Sequence, residues 1–177
     1  MAGAAQIHGF KEVEANLNRQ LEGIRNRSMK GLIMGAALVR NETEKTPPLT
    51  PVDLGNLRAS WFVVTSKGIQ VGKGLGQFKG PKAATIASDH SSTIAEAQGF
   101  VVANSTKEKQ FLMMGYSANY ALFVHENLEM HDPSNPYWVR RKKQWKVGSG
   151  PKWFESAVKN NTSRIVQIVK DNAQIKG

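Results

Sequence analysis

Apolar positions near the start of the chain recur at helical spacing. Phe10, Val13, Leu17, Leu21 and Ile24 are three or four residues apart with polar side chains between them, and Leu32, Gly35, Ala36 and Val39 continue the pattern. This predicts one long helix, or two with a break near Gly23 to Ser28. The prolines of "TPPLTP" at 46–51 end it, because proline cannot continue the backbone hydrogen-bond ladder. Gly31 and Gly35 place two small residues on one face, a pattern that permits close approach of another helix.

Further along, Asp53 is expected to cap a short helix through "LGNLRAS". "SWFVV" at 60–64 is aromatic and β-branched and predicts a strand. Residues 67–98 are rich in Gly, Ser, Ala and Lys and poor in large apolar side chains, which predicts a long flexible insertion. "GFVVANS" (99–105) and "KQFLMMGYS" (109–117) predict two strands joined by a polar turn, "TKEK". "ANYALFVHENL" sets Tyr120, Phe123 or Val124, and Leu128 on one face of a short helix. Pro151 suits the first turn of a last helix, whose stripe is Phe154, Ala157, Val158, Ile165, Ile168 and Val169. The predicted fold class is α+β, a single domain over 1–177 in which long N- and C-terminal helices pack an antiparallel sheet.

Composition narrows the function. The 177 residues are 40% apolar, enough for one modest core. With no cysteine, disulfides, thiolate nucleophiles and zinc–thiolate sites are excluded. The N-terminus lacks the basic and apolar regions of a secretory signal. The longest apolar run, Gly31 to Val39, falls far short of the roughly 20 residues that span a bilayer. A soluble protein assembled inside a cell is expected, with no membrane partner. The net charge is +10, and residues 137–177 carry ten Lys or Arg against Glu155 and Asp171. That asymmetry points to a polyanionic partner. Its centre is the basic aromatic loop at 133–150, where Arg140, Arg141, Lys142, Lys143 and Lys146 stand among Tyr137, Trp138 and Trp145. Such cations neutralise phosphates and such aromatics stack on bases or anchor in a protein. The same loop also fits a surface whose tryptophans dock on their own domain.

Candidate chemistry is sparse. "FVHENLEMHD" at 123–132 nearly reads as a zinc-protease helix, but Glu129, not histidine, stands four residues after His125. His131 is six residues on, about 240° around a helix. "VGKGLGQFKGPK" fits neither phosphate-loop template, since Lys79 stands where a third glycine would be needed after Gly74. No Gly-x-Ser-x-Gly elbow occurs. No cofactor, metal or catalytic residue is expected.

Three segments, "TPVDLGNLRASW", "YSANYALFVHENLE" and "GPKWFESAVKNN", together resemble the tail-completion or neck proteins of tailed bacteriophages, also called minor capsid or morphogenesis proteins. Leu54 departs from that family's pattern, which has Thr or Ser there, and residues 67–98 and 133–150 look longer than usual. The resemblance implies a non-enzymatic virion protein of the head–tail neck. It implies a ring, six copies by tail symmetry, around a DNA channel, with connector or portal-side and tail-tube or terminator proteins as neighbours. It places Gly31, Gly35, Asp53, Asn56, Arg58, Tyr120, His125 and Glu126 at a subunit boundary, and sets the five-cation loop against DNA or an acidic neighbour. The competing reading is a non-enzymatic nucleic-acid-binding protein acting through its basic C-terminal region.

Overall fold

The computed structural model describes residues 10–72, 77–131 and 147–174. The N-terminal stripe forms a single unbroken helix, α1 (Phe10–Lys45). A short α2 (Asn56–Ala59) leads into β1 (Trp61–Thr65) and β2 (Gly68–Val71). Then come α3 (Ala83–Asn104), β3 (Leu112–Tyr116) and α4 (Ala121–Glu126). A 3-10 turn (Leu128–His131) and α5 (Trp153–Ala173) complete the described chain. The fold class is α+β, as expected.

The sheet is antiparallel in the order β2-β1-β3, with Trp61 opposite Tyr116 and Thr65 opposite Leu112. All five residues of β1 are buried because helices cover both of its faces. Alternation sends Trp61 and Val63 to one side, against Ala36 and Val39 of α1 and Ala157 of α5. Phe62 and Val64 point the other way, against Ile94, Ala97 and Val101 of α3. The continuous apolar run "WFVV" therefore reflects a middle layer between two helical layers.

Two expectations are corrected here. Residues 67–98, expected to be a flexible insertion, carry β2 and most of α3. "GFVVANS" is the last part of α3 and its end, not a strand. His90, Ile94, Ala97 and Val101 recur at spacings of four, three and four and are buried, a helical stripe that continues straight through the two valines. The β-branched pair suggested a strand, but its neighbours bury at helical period. The "TKEK" turn does form, with Thr106 N–H donating to the Lys109 carbonyl at 2.8 Å, and it joins α3 to β3.

α1 and α5 pack antiparallel. A Cβ on Gly31 would stand 2.8 Å from Val169 Cα, and one on Gly35 would stand 3.0 Å from Ile165 Cγ2. The close approach that these glycines permit is thus used inside the chain, by α5. Both glycines therefore serve the core of the protomer.

Candidate assembly surface

α2 is entered through Gly55, whose φ of +87° lies in the left-handed region that a side chain disfavours. Gly55 is the N-cap residue of α2 and has no side chain with which to cap it. Asn56 instead faces inward. Its Oδ1 accepts the Lys79 N–H at 2.8 Å and its Nδ2 donates to the Lys79 carbonyl at 2.9 Å. This two-way amide clamp ties α2 to the chain before α3 and uses the Asn56 side chain within the protomer. Arg58 is half-buried; its carbonyl accepts from Arg40 Nη2 at 3.0 Å.

α4 buries Ala121 and Val124 and turns Leu122, Phe123 and, just beyond it, Leu128 outward, at 72%, 64% and 67% exposure. Between α2, α4 and the start of α3 lies an apolar groove of about 380 Å³, lined chiefly by Pro51, Leu54, Leu57, Pro81, Ile86 and Tyr120. Asp53 and Asn56 also line it, so three of the residues expected at a subunit boundary, Asp53, Asn56 and Tyr120, share one concavity.

His125 and Glu126 lie beside the start of α5. The His125 carbonyl accepts the Lys152 N–H at 2.8 Å, and the imidazole meets the Trp153 ring edge-on with centroids 4.8 Å apart. Nδ1 lies 2.7 Å from Glu126 Oε1, while Nε2 is 3.4 Å from the Glu155 N–H. That N–H donates, so Nε2 accepts and the ring proton sits on Nδ1, directed at the carboxylate. Lys152, at φ +58°, pairs with both Glu126 and Glu155, and Lys159 pairs with Glu155. Lys152, then His125, hold the Glu126 carboxyl below its usual range. Lys159, then Lys152, lower Glu155 to about 2, and the same two acids raise Lys152. The histidine–glutamate pair that suggested a metal ligand docks α4 on α5. Among the described residues, no group of three or more His, Asp or Glu could hold a metal ion. The His131 side chain and Asp132 lie outside the described part, as do Arg140, Arg141, Lys142, Lys143 and Lys146.

Sequence reasoning missed two polar centres. Tyr116 Oη receives Arg40 Nη1 at 3.2 Å and lies 3.0 and 3.2 Å from the Thr43 and Thr50 hydroxyls, binding the end of α1 to β3. Buried His90 joins the Gly72 carbonyl at 2.8 Å to the Ser117 hydroxyl at 2.5 Å. The signal for His90 was its place in the Ile94 stripe; the Tyr116 cluster joins residues far apart in sequence and left no local signal.

Leu57, Ala118, Ala121, Val124 and Trp153 form one buried cluster, with Tyr116 and Phe154 packed against it. Comparison with family models, with curated proteins and with solved structures finds no match to this chain. No helix among the described residues is long and apolar enough to cross a membrane.

Proposed function

We propose that this chain is a structural, non-enzymatic protein of the neck of a tailed bacteriophage, assembling into a ring, six-fold by tail symmetry, around the DNA channel. One observation carries the reading. The three segments that resemble neck proteins lie about 60 and 30 residues apart in sequence, yet they supply the members of a single buried cluster, Leu57 from the first, Ala118 to Val124 from the second and Trp153 from the third. Segments that share a core in this way have a common structural reason to occur together.

The surface above that cluster suits assembly rather than catalysis. It joins an apolar groove to an α4 face bearing Leu122 and Phe123, large apolar residues that water does not favour. A convex apolar element beside a concave one on the same protomer is the arrangement from which head-to-tail contacts close rings. The basic loop at 140–146 supplies the contact to DNA phosphates or to an acidic neighbouring ring.

The test is a pair of variants. Leu122→Asp with Phe123→Asp changes only exposed positions, so far-UV circular dichroism stays unchanged while rings are lost and virions remain incomplete. Changing Arg140, Arg141, Lys142, Lys143 and Lys146 to Gln leaves the fold intact, lowers binding to random DNA and makes its salt dependence shallower. Normal assembly in the first variant together with unchanged virion yield in the second would overturn the proposal.

A further inference from the structure

The apolar stripe that α5 covers on α1 continues past the end of α5. At about 100° per residue, Val13, Leu17, Leu21 and Ile24 fall on the side of α1 that carries Gly31 and Gly35, the positions against which α5 packs. Gly31 lies opposite Val169 and Gly35 opposite Ile165. Extending that register sets Ala173, the last residue of α5, level with Arg27. N-terminal to that level the stripe emerges. Residues 11–22 are all exposed, with Val13 at 57%, Leu17 at 60% and Leu21 at 48%.

Val13 lies roughly 21 Å along the helix axis from Arg27, well beyond the level at which α5 ends. The stripe is therefore the open continuation of an established helix–helix interface, and the occupant that fits it is a helix running in the direction of α5.

Charge identifies that helix. Glu12 and Glu14 precede the stripe's centre, and Arg25 and Arg27 follow it. Two copies packed in parallel would set acids against acids and arginines against arginines. Packed antiparallel, with Leu17 opposite Leu21 of a second copy, they bring Glu14 to within one residue of the level of Arg25 on one flank and Glu12 to within one residue of the level of Arg27 on the other. Arg27 has Nε and Nη2 buried without a hydrogen-bond partner. In this register the second copy's α1 begins where α5 ends, so a helix N-terminus faces a helix C-terminus, the favourable order for the two dipoles.

We propose that residues 11–27 of α1 pair antiparallel with the same residues of a second copy, through Val13, Leu17, Leu21 and Ile24, with Glu14 facing Arg25. The contact is two-fold and so differs from the head-to-tail contact that closes a ring. It stands whether or not the ring reading holds. A seam four turns long is small beside the roughly 1,200–2,000 Å² of a stable complex, so the pairing is concentration-dependent.

The chain has no native cysteine, which permits a direct test on the full-length protein. Leu17→Cys and Leu21→Cys variants are oxidised separately and as an equimolar mixture. In the antiparallel register positions 17 and 21 of different copies meet, whereas like positions are offset by four residues, about 6 Å along the axis. The mixture is expected to yield several-fold more covalent dimer than either variant alone. Glu14→Arg in both partners should reduce that yield, and adding Arg25→Glu should restore it. Both cysteine positions are exposed, so circular dichroism matching the wild type confirms the fold in each case. Equal cross-linking in the separate variants would overturn the register. No cross-linking in the mixture would overturn the pairing and leave the stripe to residues 1–9 or to another partner.

Discussion

Gly31 shows how a residue's meaning depends on what faces it. Its pairing with Gly35 was legible in the sequence as a site of close helix approach, but the identity of the approaching helix was not, because α5 lies more than 120 residues away. Val169 Cα stands 2.8 Å from where a Cβ would be, and backbone cannot move aside as a flexible side chain can. Gly31→Leu is therefore expected to cost about 1–3 kcal/mol through overpacking, read as a lower midpoint in chemical denaturation. An exposed control, Gly99→Leu, meets no atom within 4 Å and lies inside α3, so it is expected not to lower the midpoint. Glu155 gives a pH signature at the same scale. Its folded pKa is depressed from 4.5 to about 2 by Lys159 and Lys152. A depressed carboxyl contributes stability above its unfolded pKa and loses it as pH falls through the folded one. The denaturation midpoint of the wild type should fall between pH 4.5 and 2, and Glu155→Gln should flatten that part of the profile. Because the network is solvent-exposed, the effect is modest.

Among the elements, those with strong local patterns were legible, and those whose pattern is set by a distant partner were not. α1, β1, β3 and α5 follow from periodicity, strand chemistry and proline placement. α3 did not, since its buried stripe consists of one histidine, one alanine and two medium-sized aliphatics within a Ser- and Ala-rich segment. Its helical period is apparent only once Phe62 and Val64 are known to need a cover on the far face of β1. The account assigns α3 a full share of the core. Ile94→Ala should cost about 2–5 kcal/mol, and a loss of that size by urea denaturation would distinguish a packed layer from a loosely attached excursion. The candidate surface was legible in part. Asp53, Asn56 and Tyr120 meet at the groove, while Asn56, His125 and Glu126 spend their polar atoms within the protomer.

At the scale of the whole molecule, the described residues form three layers, with α1 and α5 antiparallel on one face of the sheet and the start of α1 running past the end of α5. Their surface concentrates apolar exposure at α4 and at the α1 tip, and the sequence concentrates positive charge at its C-terminal end. A monomeric protein gains nothing from either apolar surface, whereas an assembled one buries both. The most direct measurement of that claim is native mass spectrometry of the purified full-length protein at micromolar concentration and moderate salt, with negative-stain imaging of the same sample. The account predicts closed assemblies, of six copies by tail symmetry, with a central channel. A chain that stays monomeric at every concentration tested, with no ring in the images, would contradict it.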